Sequence, residues 1–296
     1  MAERDERQVV WVRGALADPA EASVHWSDHG LTVGDGVFET IELRRGTPFA
    51  LTRHLDRLER SAAGLRLPAP DRSQVLDAVS SVAEAWGTEP GRLRVTYTAG
   101  AAPMGSERVG ATPTLVVAAA PMTVRVDATS VLVVPFTRNE HGALVGLKTT
   151  SYGENVVALD LAHEVGASEA IFANTAGSLC EGTGSNIFVV VDGELITPTL
   201  ASGCLAGITR ALLLEALATD APELRVAERD EPLEVLQRAD EAFLVSTGRH
   251  VQPISQVLTS DGLGDASDRA LPECPGPLTT AARQVWVEAY EDRLDP

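Results

Sequence analysis

Short β-rich runs and amphipathic helical stripes interleave along this chain, but never in the strand–helix–strand rhythm that a doubly wound parallel sheet requires. That irregular alternation favours an α+β fold. Gln8–Arg13 is a short β-rich run, and Val37–Leu43 reads as a strand. Its alternation sets Phe38, Thr40 and Glu42 on one face against Glu39, Ile41 and Leu43 on the other. Thr52 is placed to cap a helix reaching about Leu65, with Leu55, Leu58, Ala62 and Leu65 as its stripe. A second helix follows Asp71 and stops near Gly87; strands follow at Leu93–Thr98 and Thr114–Ala119, flanking a loop with glycine and proline.

The length suits one large domain or two smaller ones. Residues 1–120 are expected to form a small N-terminal domain, 121–130 a linker, and 131–296 a larger C-terminal domain. The second half opens on strand Val131–Pro135 and continues through a helix at Glu154–Val165. Strands are expected at Ala170–Ala173, Asn186–Val191 and Ala242–Val245, with helices at Gly207–Ala218 and Leu278–Arg293.

The hydrophobic share of 44% is ample for a core, and a formal charge of −18 disfavours nucleic acid and anionic membrane as partners. Cys180, Cys204 and Cys274 are odd in number and lack CxxC spacing, as expected of reduced thiols rather than disulfides or structural zinc. The six histidines lack metal-ligand spacing, so no metal is expected, and most should be surface or structural residues. The N-terminus lacks the apolar stretch of a secretory signal and no run reaches membrane-spanning length, which leads to the expectation of a cytoplasmic protein.

Lys148 is the only lysine, among 24 basic Lys and Arg residues. Arginine replaces lysine wherever only positive charge is needed, but it cannot lose its proton near neutral pH. The one amine that remains is therefore a candidate for Schiff-base or proton-transfer chemistry. No GxGxxG opens a helix and no GxxxxGK[ST] precedes Lys148. Instead, small-residue turns recur. Gly203–Arg210 offers free backbone N–H groups and the Thr209 hydroxyl at a helix start, a setting suited to a phosphate. Ser246-Thr247-Gly248-Arg249 offers a second hydroxyl turn, and Glu181-Gly182-Thr183-Gly184-Ser185-Asn186 puts an acid on a glycine-flanked turn before a strand.

Taken in order, Asp35–Thr40, His54–Leu58, Leu147–Tyr152, Glu181–Phe188, Gly207–Arg210 and Thr247…Pro253 resemble the class IV aminotransferases, the fold-type IV pyridoxal-phosphate enzymes. That group includes branched-chain aminotransferases, D-amino-acid aminotransferases and 4-amino-4-deoxychorismate lyases. The resemblance covers nearly the whole chain. It implies a small N-terminal α/β domain, a C-terminal pseudo-barrel domain, and a homodimer in which a partner loop completes the site. It further implies that Lys148 forms a Schiff base with pyridoxal 5′-phosphate and that Glu181 pairs with the pyridine nitrogen. Arg57, Ile208, Thr209 and Thr247 would hold the phosphate, Ser185 and Asn186 would shape the cofactor's other face, and Tyr152 would touch it. Phe38, Thr40 and Arg44 would line the substrate pocket, with Arg108 able to reach it from the loop after Thr98.

Departures from the pattern leave the substrate open. Branched-chain members usually show Phe-Glu-Gly where this chain has Phe38-Glu39-Thr40. The Arg-x-His pair of D-amino-acid enzymes is missing from the Thr98–Arg108 loop, and Ser151-Tyr152 stands where the lyases often carry Asn-Arg. The expected activity is transfer of an amino group between an amino acid, D-amino acids included, and a 2-keto acid. The alternative is lyase chemistry releasing pyruvate and 4-aminobenzoate. Retention of Lys148, Glu181, Arg57 and Thr247 together argues against a non-catalytic cofactor-binding protein.

Overall fold

The computed structural model describes residues 7–260 and 267–296, so the N-terminal stretch read above for signals lies almost wholly outside the described residues. The chain divides into two compact units. The first comprises Met1–Thr123, Leu147–Tyr152 and Leu294–Pro296; the second comprises Val124–Gly146 and Gly153–Arg293. Strands and helices mix irregularly, without the regular strand–helix alternation of a doubly wound sheet.

The first unit is built on an antiparallel sheet of six strands. In chain order they are β1 (Val9–Val12), β2 (Ala15–Ala17), β3 (Gly36–Arg44), β4 (Thr47–Pro48), β5 (Gly91–Thr98) and β6 (Thr114–Pro121), arranged β2-β1-β6-β5-β3-β4. A short helix α1 (His29–Thr32) precedes β3, and α2 (Leu51–Gly64) and α3 (Arg72–Trp86) cover one sheet face. Leu55, Leu58 and Ala62 of α2 and Val75, Val79 and Val82 of α3 join Ile41, Leu43, Leu93, Val95 and Val117 in a single core. The period-2 alternation of β3 therefore aims Ile41 and Leu43 at the helices and leaves Phe38 and Thr40 on the other face. Asp71 caps α3 through Ser73 N–H and Gln74 N–H, and Gly87 ends it, as its sequence implies.

Two expectations are corrected here. Thr52 does not cap α2: it lies inside the first turn, and Ala50 holds the cap position in left-handed geometry (φ 53°) without a side-chain bond. Thr52 Oγ1 instead donates to Asp295 at 2.6 Å. The last helix ends at Tyr290 rather than Arg293, which releases residues 294–296 to lie against α2.

The second unit carries nine strands: β7 (Thr129–Arg138), β8 (Glu169–Asn174), β9 (Leu179–Gly182), β10 (Asn186–Val191), β11 (Glu194–Thr197), β12 (Val226–Glu228), β13 (Glu241–Ser246), β14 (His250–Thr259) and β15 (Arg269–Ala270). Eight of them run in the order β12-β11-β10-β13-β14-β7-β8-β9, with β15 on β14. The sheet is mixed: β14–β7, β7–β8 and β11–β12 are parallel and the other pairs antiparallel. Near-continuous burial of β8, β10 and β13 matches strands covered on both faces. Helix α4 (Gly153–Glu164) sets Ala158 and Ala162 against Leu132, Val134 and Phe172. Helices α5 (Ile208–Asp220) and α6 (Pro277–Tyr290) pack together, and Tyr290 Oη donates to Leu212 O at 2.8 Å. Among the described residues no helix is long and apolar enough to cross a membrane.

Gly100 marks a point where backbone approach leaves no room for a side chain. Its φ is +85°, its carbonyl accepts from His29 N–H at 2.9 Å, and an added Cβ would stand 1.7 Å from Thr112 O. Gly100→Ala should destabilise the protein by about 2 kcal/mol or more in urea unfolding. An unchanged midpoint would show that the Thr112 strand entry yields easily.

Candidate active site

On the helix-facing side of β3, where Ile41 and Leu43 meet apolar side chains, Glu39 places a carboxylate with no solvent exposure. Helix α2 answers it. Arg57 donates through Nε to Oε1 at 2.8 Å and through Nη2 to Oε2 at 2.6 Å, and His54 Nδ1 lies 2.7 Å from Oε2. The guanidinium fork matches the carboxylate bidentately. Burial alone pushes the Glu39 carboxyl up, but Arg57, aided by the His54 hydrogen bond, overcomes it and brings the pKa down to about 2. His54 is pushed the other way: burial lowers its pKa despite Glu39, and Arg57 and Lys148 add to the lowering. A neutral imidazole donating Nδ1–H to Glu39 satisfies both directions.

Lys148 belongs to this unit. Its segment is laced to the start of β3: Phe38 N–H donates to Lys148 O at 2.9 Å and Thr150 N–H to Gly36 O at 2.8 Å. Lys148 N–H also donates to Ser61 Oγ of α2 at 3.2 Å. These bonds fix the backbone while the side chain runs over Phe38, whose ring centroid is 4.4 Å from Nζ. Tyr152 meets Phe38 edge-on at 5.3 Å and stands 5.8 Å from the same amine. Two aromatic rings thus flank the single ε-amine of the chain.

The two arginines expected near the substrate, Arg44 and Arg108, have carboxylate partners. Arg44 donates to Glu42 at 2.8 Å and stacks on Phe49. Arg108 forks onto Asp35 through Nε (2.6 Å) and Nη2 (2.5 Å) and also reaches Leu65 O and Arg66 O. Arg94 was not singled out, yet it pairs with Thr40 across β3–β5, and its guanidinium carbon lies 3.6 Å from the Phe38 ring centroid. Among the described residues no carboxylate pairs with Arg94; its polar contact is Thr96 Oγ1 at 3.4 Å. The signal for it was present: Leu93, Arg94, Val95 and Thr96 alternate, which sets Arg94 on the face of Phe38 and Thr40.

In the second unit Glu181 lies on strand β9 opposite Phe172 of β8, not on the following turn as the glycines suggested. Pairing extends through Gly182, and the turn begins at Thr183. Glu181 Oε2 accepts from Leu205 N–H at 2.9 Å, and Oε1 faces Arg138 Nε at 3.4 Å. Arg138, which nothing in the sequence marked, stacks over Phe172. Gly207 is the N-cap residue of α5 and provides no side-chain cap, so the amides of Ile208 and Thr209 meet no capping side chain. Thr209 is buried in this first turn. Asn186 braces the approach by donating to Leu205 O at 2.9 Å, and an added Cβ on Gly207 would fall 1.9 Å from its Oδ1.

Thr247 occupies the turn between β13 and β14. Buried Glu169 ties this turn to the 183–185 turn. It accepts from Thr183 N–H at 3.1 Å, from Thr183 Oγ1 and from Ser185 Oγ at 3.0 Å, and it pairs with Arg249 Nη2 at 3.1 Å. Within the second unit, the uncapped start of α5 with the Thr209 hydroxyl suits a phosphate dianion, and the Glu181 carboxylate suits a protonated ring nitrogen. The residues fit pyridoxal phosphate.

Glu39→Gln should weaken the protein by about 3 kcal/mol at pH 7, because Arg57 is left buried without its counter-charge. A carboxyl lowered from 4.5 to about 2 contributes stability that is complete above pH 4.5 and lost as pH falls towards 2. The gap between wild type and variant should therefore close across that window in denaturant titrations. A gap constant from pH 6 to pH 2 would disprove the charged clamp.

Comparison with known proteins gives the family of the chain. The family described as "Amino-transferase class IV" matches residues 36–257. A putative branched-chain-amino-acid aminotransferase of Methanocaldococcus jannaschii is 31% identical over 253 residues, 84% of this chain and 87% of that protein. A bifunctional aminodeoxychorismate lyase / D-amino acid transaminase of Mycobacterium tuberculosis is 30% identical over 246 residues, 74% of this chain and 83% of that one. Among solved structures, the pyridoxal-phosphate-bound form of a hypothetical aminotransferase from Mycobacterium tuberculosis superimposes with a TM-score of 0.82 at 26% identity. It covers 96% of this chain, which covers 100% of it. With its lysine laced to β3 and its acid on β9, the chain belongs to the class IV aminotransferases.

Proposed function

We propose that this chain is a pyridoxal-phosphate-dependent transaminase that moves an amino group between an amino acid and a 2-keto acid. The observation that carries the reading is the placement of the single ε-amine over Phe38 and beside Tyr152 on a backbone fixed by Ser61 and β3. Pyridoxal phosphate supplies the electron sink that makes proton removal at the substrate Cα accessible. Lys148 would carry the cofactor between turnovers and, once released, its Nζ would move the proton from the substrate Cα to the cofactor C4′. Glu181 keeps the pyridine nitrogen protonated. Arg57, the Ile208 and Thr209 amides and the hydroxyls of Thr209 and Thr247 hold the phosphate, while Ser185, Asn186 and Tyr152 orient the ring.

Phe38 and Thr40 line the substrate side, and Arg94 on the same face binds a substrate carboxylate. Arg108, whose Nε, Nη1 and Nη2 are all engaged by Asp35, Arg66 O and Leu65 O, and Arg44, held by Glu42 and stacked on Phe49, are assigned to structure rather than to substrate. The protein acts as a cytoplasmic homodimer on this reading. Exposed Trp26, Leu31 and Val33 in one short stretch support association, and the formal charge of −18 disfavours membrane and nucleic-acid partners.

A second reading, aminodeoxychorismate lyase activity, is favoured by the Phe38-Glu39-Thr40 sequence and by the bifunctional relative. It shares the use of Lys148 but ends in loss of pyruvate.

The deciding measurement is the visible spectrum of the purified holoenzyme during addition of D- and L-amino acids without a keto acid. Conversion of the cofactor band to the pyridoxamine form establishes the transaminase and its enantiomer preference; a band that persists, with 4-aminobenzoate formed from aminodeoxychorismate, replaces it with the lyase. Lys148→Arg should lower turnover by about a thousandfold or more. Arg94→Met should raise KM for carboxylate substrates about tenfold with a smaller effect on kcat, and Arg108→Ala should leave KM unchanged. The reverse pattern would move the carboxylate to Arg108.

A further inference from the structure

Helix α2 carries three side chains that matter to the first unit's chemistry, and they lie along one stripe at helical spacing: His54, Arg57 and Ser61. The two first-named hold Glu39, and Ser61 Oγ accepts from Lys148 N–H. A stripe of this kind is only as well placed as the start of its helix. Yet Ala50 at the cap position has no side chain that could accept from the first turn, and its left-handed backbone is itself uncommon for a residue with a Cβ.

The missing acceptor comes from 243 residues away in sequence. Asp295 Oδ1 accepts from Thr52 N–H at 2.9 Å and Oδ2 from Thr52 Oγ1 at 2.6 Å. Leu294 O accepts from Ala50 N–H at 2.7 Å, and Pro296 O accepts from Arg53 Nε at 2.8 Å. Four donors at the start of α2 are thus satisfied by three consecutive residues, and the Asp295 carboxylate sits at the positive end of the helix dipole. The contact lies about 7 Å along the axis from Arg57, at the usual rise per residue.

We propose that Asp295 is a positioning residue for the cofactor phosphate: as the cap of α2, it holds the His54–Arg57–Ser61 stripe in register with Glu39 and Lys148. This rests on the reading of Arg57 as a phosphate ligand. Asp295 itself touches neither substrate nor cofactor; it acts through the helix. Losing the cap frays the first turn, and the side chains one to two turns on lose the fixed backbone that aims them.

The effect should appear in cofactor recognition and specifically in its phosphate-dependent part. Dissociation constants of the apoprotein would be measured by absorbance titration for pyridoxal phosphate and for pyridoxal, which lacks the phosphate. Asp295→Ala should reduce the ratio of the two affinities about threefold to tenfold, the range of a lost helix cap. Asp295→Asn, which keeps an acceptor, should recover most of it and also serves if the alanine variant folds poorly. Arg57→Lys is the reference, since it retains a charge for Glu39 while losing the fork. A ratio lowered by Arg57→Lys but unchanged by Asp295→Ala overturns the positioning role and leaves the phosphate reading intact. A ratio unchanged by Arg57→Lys overturns the phosphate reading itself. In the double variant Asp295→Ala should add little to Arg57→Lys; full additivity would show that Asp295 acts by another route.

Discussion

A carboxylate buried without water keeps its charge only when nearby donors replace the solvent it has lost. Glu39 meets that condition with a bidentate guanidinium and an imidazole, all on the face of β3 that otherwise carries Ile41 and Leu43. The clamp fixes α2 against the sheet at a defined rotation, because the fork of Arg57 tolerates little tilt. That rotation presents Ser61 to the Lys148 backbone, and the same strand presents Phe38 on the opposite face beneath the amine. One ion pair in the interior of the first unit therefore sets the geometry on both sides of its sheet.

Charge is distributed with a similar economy. The chain is strongly acidic overall, and several arginines meet an acid: Arg44 pairs with Glu42, Arg108 with Asp35 and Arg249 with Glu169. Arg94 stands apart among the described residues because Glu42, the carboxylate on the face it shares with Phe38 and Thr40, is bound by Arg44, and its own contacts include the Phe38 ring and the Thr96 hydroxyl. In a protein of this net charge, an arginine without an acid is the more informative kind.

Much of this was legible in the sequence. The alternation of β3 assigned its two faces, Asp71 and Gly87 bounded α3, and the glycine-rich approach to Thr209 marked a helix start. The lone lysine pointed to amine chemistry from composition alone. What escaped had a common cause, namely partners remote in sequence. The cap of α2 lies 243 positions from the residue it serves, so local reading gave the role to Thr52. Arg138 meets Glu181 through the pairing of β7, β8 and β9, and no local pattern announces that neighbour. Strand alternation places Arg94 on the face of Phe38 and Thr40, but which arginines have acid partners depends on contacts remote in sequence.

The Glu169 carboxylate joins two turns that are far apart in sequence, and each supplies part of the proposed cofactor cradle. A shared buried acid couples the energetics of these turns. A replacement at Arg249 that suits its own turn leaves Glu169 undercompensated, and the change is felt at Thr183 and Ser185. A substitution that suits one turn therefore has to be matched in the other, and redesign of either should treat both as one unit.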